Sequence, residues 1–340
     1  NRFLKKTSGA LVSAVFLFAA TSEGSEPAPL RLGLPIDCRL GTDCWLVNLV
    51  DLDPSKGVKD YLCQRHSYNG HKGIDIAIRD LRAMEDGMPV IAAASGTVKA
   101  FRDGMADQPP TPEFRKTGRK RYCGNGVVVD HPGGWQTQYC HLRKGSIALT
   151  KGQAVRAGDR LGYVGHSGMA EFPHVHLSVR HQGKVVDPFL GLEKTSACGL
   201  GAAALWTAPV LQQLTAPLSA IYNAGFAPTK PKVSAVRKGL YKAPALSRRS
   251  PALVFWADIF WVRAGDRLTM TITGPDAAKI TERANVLPKS QARRIIFAGR
   301  KKKGLFWPAG TYTGHVVLER HDPNRPTSRF ELTRKVVLKD

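Results

Sequence analysis

The sequence predicts an all-β protein in which two domains are built from antiparallel sheets. Short apolar runs with β-branched residues recur between residues 70 and 190, and turns containing glycine or proline separate them at short intervals. A second series of such runs occupies residues 246–340, and several short strands over about a hundred residues are typical of a β-sandwich. With 340 residues, the chain is long enough for two domains that each bury a core.

The first residues have the pattern of a secretory signal peptide. Arg2, Lys5 and Lys6 are followed by the apolar run Leu11–Ala20 and then by small polar residues. This pattern predicts a signal at residues 1–21, too short to span a bilayer as a stable helix. A buried N-terminal helix is the alternative. Because no later segment approaches the roughly 20 apolar residues that a span needs, we expect an exported protein, periplasmic or extracellular, with no transmembrane span once the signal is removed.

Residues 22–69 contain many turn formers, and we expect an irregular lead segment held by disulfides. An even number of cysteines in an oxidising compartment favours disulfides over zinc thiolates, and no pair here has the Cys-x-x-Cys spacing. The six cysteines are Cys38, Cys44, Cys63, Cys123, Cys140 and Cys198.

One of the disulfides follows from a predicted hairpin. Cys123 and Cys140 flank two strand-like runs whose turn lies at residues 132–134, and both are nearly the same distance from that turn. We therefore expect a bridge between them. Two of the three cysteines in residues 22–69 could pair, with the third meeting Cys198, but the sequence leaves this connectivity open.

Residues 191–245 are expected to form a linker with a partial helix between Ala202 and Leu214, interrupted by Pro209 and Pro217. The sandwich-like domain at residues 246–340 follows it.

The positive charge is concentrated in the C-terminal part of the chain. The formal net charge is +23, and residues 191–340 contain 25 Lys and Arg against 9 Asp and Glu. Outside the cytoplasm, such charge suggests an anionic surface, either envelope polymers or lipid headgroups, although solubility alone would also account for it. We expect no nucleic-acid partner, because export and the absence of a nucleic-acid motif argue against one.

Five side chains with metal-binding or acid/base chemistry cluster in the first domain. His174 and His176 lie in a strand-like run, and residues two apart in a strand share a face, so their imidazoles converge. His71 and Asp75 lie where the chain enters another predicted strand, and nitrogen and oxygen ligands suit zinc. Together with His141 they make five candidate groups. A catalytic zinc takes only three ligands from the protein. The surplus imidazoles would serve as acid/base or orienting groups in hydrolysis.

Several spaced motifs surround these residues. They are His71-x-x-x-Asp75, residues 123–131, Tyr139-Cys140-His141-Leu142, residues 152–159, Pro173-His174-Val175-His176-Leu177 and Val186-Asp187-Pro188. From Gly70 to Pro188 these motifs resemble, in order, those of the lysostaphin/LytM-type zinc endopeptidases, peptidase family M23. The resemblance implies an antiparallel LytM/lysostaphin-like fold, the duplicated hybrid motif, for a peptidase domain at residues 70–190.

The resemblance also implies roles for the five side chains. His71, Asp75 and His176 would ligate one Zn²⁺ per chain. His141 and His174 would be the catalytic histidines, which polarise water and stabilise the tetrahedral intermediate. The implied substrate is the peptide cross-link of bacterial peptidoglycan, so the predicted protein is a secreted zinc metalloendopeptidase that acts through a metal-activated water.

The chain departs from the usual family pattern in three places. Val175 stands where Leu is common, His166 occupies a turn position where Asn or Thr is common, and the insertion at residues 102–122 is longer than usual. None of these touches the five key positions. We expect His166, His66 and His131 to be structural.

More than one function is open from the sequence. The nearest competitor to the peptidase is a catalytically silent LytM-type module that binds the wall and activates a cell-wall amidase, because some relatives have lost the ligands. A zinc amidase or a carboxypeptidase acting on the same polymer also fits the motifs, and a cationic adhesin driven by the C-terminal domain fits the charge. The sequence does not determine which cross-link bond is cut.

Overall fold

A computed structural model describes residues 30–193, 197–215, 217–322 and 325–340. The predicted signal peptide and the first part of the predicted lead segment lie outside the described residues. Within these ranges, no helix has both the length and the apolar character needed to cross a membrane.

The first part of the chain folds into short strands and two short helices of six residues each. Its strands are β1 (Cys44–Asn48), β2 (Ile74–Ile78), β3 (Pro89–Ile91), β4 (Gly96–Arg102), β5 (Asn125–His131), β6 (Trp135–Leu142), β7 (Ala154–Val155), β8 (Arg160–Tyr163), β9 (His174–His181) and β10 (Lys184–Val186). Its helices are α1 (Leu81–Asp86) and α2 (Pro112–Thr117).

One antiparallel sheet carries most of these strands, in the order β1-β2-β9-β6-β5-β4-β7, with β10 paired to β9 and with β3 and β8 forming a separate pair. Alternation along β2 places Ile74, Ile76 and Ile78 in the core, and Asp75 points to the opposite face. The adjacent strand β9 places His176 directly beside Asp75. The predicted antiparallel all-β fold is confirmed.

The lead segment is more regular than the sequence indicated, because residues 44–48 form the edge strand β1. Cys44 and Leu46 point into the core of the first sheet, whereas Trp45 and Val47 pack against the C-terminal part of the chain. Burial on both faces explains why the run lacks the apolar and polar alternation by which a half-buried strand is recognised.

The six cysteines form three disulfides. Cys123 pairs with Cys140 as predicted, and Cys38–Cys44 and Cys63–Cys198 complete the set. Two of the three cysteines in residues 22–69 thus pair with each other and the third pairs with Cys198, which is one of the arrangements that the sequence allowed.

The C-terminal part contains two helices and a second series of strands. Its helices are α3 (Ala208–Leu214) and α4 (Val233–Arg237), and its strands are β11 (Ala220–Ala227), β12 (Ala245–Ser247), β13 (Ala252–Val262), β14 (Arg267–Thr273), β15 (Lys279–Val286), β16 (Gln291–Lys301), β17 (Gly310–Asp322) and β18 (Arg325–Lys339).

Two sheets pack face to face in this part, with the strand orders β11-β13-β16 and β12-β18-β17-β14-β15. Side chains from both sheets meet in one core, among them Phe255, Met270 and Val316. The predicted sandwich-like architecture is therefore observed, with one parallel pair, β12 with β18.

The range predicted as a linker differs from the prediction in two respects. Residues 220–227 form β11, which pairs along its length with β13 and belongs to the sandwich. Pro209 is the second residue of α3 and does not interrupt it, because the backbone nitrogens of the first helical turn donate no hydrogen bond within the helix.

The sandwich is packed directly against the first sheet. Trp45, Val47 and Ala77 of that sheet form one apolar cluster with Tyr222 and Phe260 of the sandwich. The indole Nε1–H of Trp261, on the same strand as Phe260, donates to the backbone oxygen of Val47. This contact places strands β13 and β16 next to the polar face of β2.

Candidate metal centre

Three potential metal ligands meet above the paired strands β2 and β9. Asp75 and His176 are direct cross-strand neighbours, with 2.8 Å between Asp75 Oδ1 and His176 Nδ1. His71 approaches from the loop before β2, and its Nε2 lies 3.1 Å from Asp75 Oδ1 and 3.0 Å from His176 Nδ1. One atom from each residue falls within 4.8 Å of the other two, so a single ion could contact all three.

The orientation of His71 is determined by a backbone oxygen on the far side of its ring. Its Nδ1 lies 2.6 Å from the carbonyl oxygen of Leu49. Since a carbonyl oxygen only accepts, Nδ1 carries the proton and Nε2 keeps its lone pair for the cluster.

Asp75 is likewise held from behind. Its Oδ2 accepts a hydrogen bond of 2.7 Å from the side-chain amide of Asn48, the last residue of β1. The other oxygen, Oδ1, is the one that faces the two histidines. The edge strand β1 therefore serves the site directly.

A short hydrogen-bond chain determines which nitrogen of His176 is free. Ser178 Oγ donates to the backbone oxygen of Lys72 over 2.7 Å, so it accepts from His176 Nε2–H over 2.9 Å. Nδ1 therefore keeps the lone pair that faces the cluster. Gly73 makes this arrangement possible, because a Cβ there would lie 2.7 Å from His176 Nε2 and 2.3 Å from the backbone oxygen of Leu177.

Two further histidines lie beside the three ligands. His141, the penultimate residue of the central strand β6, has a left-handed conformation with φ of 65°, and its Nδ1–H donates to the backbone oxygen of Ser167 over 2.8 Å. His174 donates in the same manner to the oxygen of Phe172 over 2.8 Å, and its Nε2 lies 3.6 Å from Asp75 Oδ1. The centres of the two rings are 4.6 Å apart. In both rings Nδ1 is used in the hydrogen bond to a backbone oxygen, so Nε2 is the nitrogen available for proton transfer.

Burial and neighbouring charges shift the acidity of this cluster. Burial alone would raise the pKa of Asp75, but the nearby His71 and His174 hold that pKa well below its ordinary value. Burial lowers the pKa of His141 well below its usual range, and the neighbouring His174 and His176 lower it further. His141 is therefore unprotonated at neutral pH and can accept a proton.

A cavity of about 360 Å³ opens beside the cluster, and both parts of the chain line it. Asp75 and His174 belong to the first sheet, whereas Phe260, Trp261 and Arg293 come from the sandwich. The C-terminal sandwich thus forms a wall of the cleft that Asp75 and His174 line.

The insertion at residues 102–122 also reaches this cleft. Arg115 of α2 lines the cavity and pairs with Glu171 over 2.9 Å. Asp107 attaches the insertion to the rest of the domain. Its carboxylate accepts hydrogen bonds from the backbone nitrogens of Lys144 and His166 over 2.9 and 2.7 Å.

The structure brings all five predicted side chains together and places His131 and His66 away from them, whereas His166 lies near enough to His174 for the two imidazoles to interact. His131 bonds to Ser95 and Thr137 inside the sheet, and His66 pairs with Asp60. His166 is buried, and its Nε2 has no hydrogen-bond partner among the described residues.

Sequence reasoning missed the groups that support these side chains from behind. The carbonyl of Leu49, Asn48 and Ser178 support the three ligands, and the carbonyl of Ser167 supports His141. Ser178 could have been found, because it lies two residues after His176 and so on the same face of β9. Asn48 carried no such signal, because its strand was not predicted.

Comparisons with known proteins agree with this geometry. The sequence model of Peptidase family M23 matches residues 69–188. The DD-carboxypeptidase/endopeptidase Mpg of Neisseria meningitidis serogroup B (strain ATCC BAA-335 / MC58) is 34% identical over 123 residues, which are 36% of this chain and 23% of that protein. Peptidoglycan DD-endopeptidase ShyA of Vibrio cholerae serotype O1 is 32% identical over 117 residues, which are 34% of this chain and 22% of that protein.

Among solved structures, a point mutant of the catalytic domain of the prophage-encoded M23 protein EnpA from Enterococcus faecalis is 21% identical, with a TM-score of 0.31 over 47% of this chain and 94% of that one. This chain spans less than a quarter of the length of the two curated relatives. The match to Peptidase family M23 is confined to residues 69–188, and this range contains all five side chains.

Proposed function

We propose that this protein is an exported zinc metalloendopeptidase that hydrolyses the peptide cross-links of peptidoglycan. The observation that carries the proposal is the convergence of His71 Nε2, Asp75 Oδ1 and His176 Nδ1, each left free by a hydrogen bond on the other side of its side chain. Two imidazole nitrogens and one carboxylate oxygen fit the donor set of a catalytic zinc site. When bound, Zn²⁺ supplies Lewis-acid chemistry, which polarises a carbonyl group and makes water more acidic.

The two remaining histidines supply the proton transfers. His141 accepts a proton from the attacking water at Nε2, while its Nδ1–H stays bonded to the oxygen of Ser167 and stabilises the resulting cation. A carbon–oxygen bond forms, the carbon–nitrogen bond breaks, and the proton passes from His141 to the leaving amine. His174, whose ring is next to that of His141, donates to the oxyanion that develops on the carbonyl once its Nε2 carries a proton, since its Nδ1–H is already bonded to the oxygen of Phe172.

The substrate class is supported by the relatives of this domain. One is named a DD-carboxypeptidase/endopeptidase and the other a peptidoglycan DD-endopeptidase. We extend this substrate to the present chain. Export is supported by the three disulfides, which form and persist in oxidising compartments.

The silent amidase activator is a weaker candidate. A module that acts only by binding needs neither the ligands nor the acid/base groups, and this chain has all five. The same residues are what hydrolysis requires.

Mass spectrometry of the fragments released from purified peptidoglycan, with and without a zinc chelator, tests the proposal. Chelator-sensitive loss of cross-linked dimers is expected, and the masses identify the bond. His176→Ala should lose metal and activity together. His141→Ala should retain metal but turn over about a hundred- to ten-thousand-fold more slowly.

His315→Ala is the matched control, because His315 lies in the sandwich on β17 and not in the cleft. It should behave as wild type. Normal turnover by His141→Ala would refute the assigned role, and wild-type protein that holds zinc but releases no fragments would favour the activator.

A further inference from the structure

An exposed apolar pair stands among cations at one end of the sandwich. Residues 248–249 and 300–306, which we call the cationic tip, comprise the end of β16 with the turn after it and the turn before β13. Leu305 is 83% exposed and Phe306 is 44% exposed, so two adjacent large apolar side chains face solvent together. The cations of the tip are Arg248, Arg249, Arg300, Lys301, Lys302 and Lys303.

The tip is a folded element, since its two turns are bonded to each other. Trp307, directly after it, is buried, and its indole Nε1–H donates to the oxygen of Ser250 over 2.9 Å. Lys302 Nζ donates to the oxygens of Leu305 and Arg249 over 2.7 and 3.2 Å. Leu305 is thus presented to solvent by a fixed backbone, so little conformational entropy remains to be lost on binding.

Cationic and apolar groups are stacked at the same place. The guanidinium groups of Arg248 and Arg249 lie 5.4 and 5.3 Å from the ring centre of Phe306. Among the described residues, the carboxylate that pairs with the tip is that of Asp340, 3.2 Å from Arg248. The tip therefore keeps a strong positive charge around its apolar side chains.

This combination matches the interface of an anionic bilayer, where phosphate groups lie directly above acyl chains. A soluble anionic polymer would satisfy the cations but leave Leu305 and Phe306 in water. We propose that the cationic tip docks the protein on the surface of an anionic lipid bilayer, with Leu305 and Phe306 inserted among the acyl chains and the cations on the phosphates.

The position of the tip relative to the cleft suits this role. Arg293 lines the cleft near the start of β16, and Lys301 ends the same strand. Eight residues of extended chain span about 26 Å. A bilayer at the tip would therefore leave the cleft clear of the lipid and open to a polymer that lies above it.

Co-sedimentation with vesicles tests the inference. The protein, starting at Ser22 so that it keeps every described residue and lacks the apolar run Leu11–Ala20, is mixed with vesicles of phosphatidylglycerol and phosphatidylcholine in equal amounts, or of phosphatidylcholine alone. Binding to the anionic vesicles and none to the neutral ones is expected.

Two kinds of variant separate insertion from charge. The double variant Leu305→Ser/Phe306→Ser keeps every charge and should bind the anionic vesicles about tenfold more weakly or worse. Lys301→Gln/Lys303→Gln should weaken binding by about fivefold for each cation removed. Matched controls near the opposite end of β16 are Val286→Ser and Lys289→Gln, both of exposed residues, which should bind as wild type.

Equal binding to neutral vesicles, or unchanged binding of the Leu305→Ser/Phe306→Ser protein, would overturn the inference. The latter result would indicate adsorption by charge alone, as to an anionic polymer. Unfolding midpoints establish that each variant is folded. Fragment release from peptidoglycan should be unchanged in these variants, since the tip lies outside the cleft, so loss of docking is distinguishable from loss of the proposed peptidase.

Discussion

At the scale of single residues, the candidate metal centre depends on hydrogen bonds made on the side of each ligand that faces away from the metal position. The carbonyl of Leu49 orients His71, the amide of Asn48 orients Asp75, and Ser178 orients His176. Each of these bonds selects the atom that remains free. Loss of such a partner should therefore weaken metal binding without removing a ligand.

Ser178→Ala tests this dependence. Without the hydroxyl, the Nε2–H of His176 loses its acceptor and the ring is free to adopt the other tautomer. The affinity for zinc should fall by about ten- to a hundredfold, measured by competition with a chromophoric chelator. The remaining metal-loaded enzyme should still cleave substrate.

Ser250→Ala provides the comparison, because Ser250 is also buried and lies in the sandwich. It should leave the zinc affinity unchanged. Equal affinities of the Ser178→Ala and wild-type proteins would show that Ser178 does not orient the ligand.

The residues of the candidate site were predictable to different degrees. The spacing of His174 and His176 and the acidic residue after His71 have chemical meaning that is visible in the sequence, and all of them lie together. Asn48 and the carbonyl of Ser167 have no such pattern, because they contribute through contacts between residues distant in the chain. A backbone oxygen in particular carries no sequence signal at all.

At the scale of elements, strands β13 and β16 are joined by an ion pair as well as by backbone bonds. Arg293 Nη2 lies 2.6 Å from Asp258 Oδ2, and the carboxylate is fully buried. Tyr222 of β11 donates its hydroxyl to the same carboxylate. The pair thus links all three strands of the sheet that faces the cleft.

Arg293→Ala should destabilise the fold strongly, because it leaves the buried carboxylate of Asp258 without its cation. A loss of about 3–5 kcal/mol in the free energy of unfolding is expected, measured by urea denaturation. The double variant Asp258→Ala/Arg293→Ala should lose less, since no charge stays buried without a partner.

Arg300→Ala on the same strand is the control, because its side chain is exposed, and it should change stability by less than about 1 kcal/mol. A similarly small loss for Arg293→Ala would show that the pair contributes no net stability.

Two of the strands that the sequence did not predict, β1 and β11, share one property. Both are buried on both faces, so neither shows the alternation of a half-buried strand. A strand with one solvated face, such as β14, does alternate between buried and more exposed residues. The formation of β1 and β11 thus depends on contact between the two halves of the chain.

At the scale of the whole molecule, stability should depend on one buried carboxyl group. Asp187 follows β10, its Oδ2 has no hydrogen-bond partner among the described residues, and burial raises its pKa to about 7. In the unfolded chain the same group has its ordinary pKa near 3.8. Folding therefore favours the protonated form.

The contribution of Asp187 should be fully present below pH 3.8 and should be lost as the pH rises to about 7. In this window the slope is up to about 1.4 kcal/mol per pH unit. The side chain of Asp187→Asn does not titrate. The free energy of unfolding of this variant, measured in urea from pH 4 to pH 8, should therefore increase relative to that of the wild type as the pH rises.

Asp86→Asn, at an exposed carboxylate, should run parallel to the wild type across the same range. If the Asp187→Asn curve is also parallel to that of the wild type, Asp187 ionises normally in the folded protein.

The disulfide joins Cys63 and Cys198, which are 135 positions apart, and all five side chains of the candidate site lie between them. The part of the chain that contains the candidate site is therefore a covalent ring from which the sandwich extends as a tail. A single proteolytic cut anywhere inside the ring would open it without releasing a fragment, because both new ends stay joined through the sulfur bridge. Where proteases are present, the ring that contains the candidate site would remain in one piece after one nick, and a reductant would be needed to separate its halves.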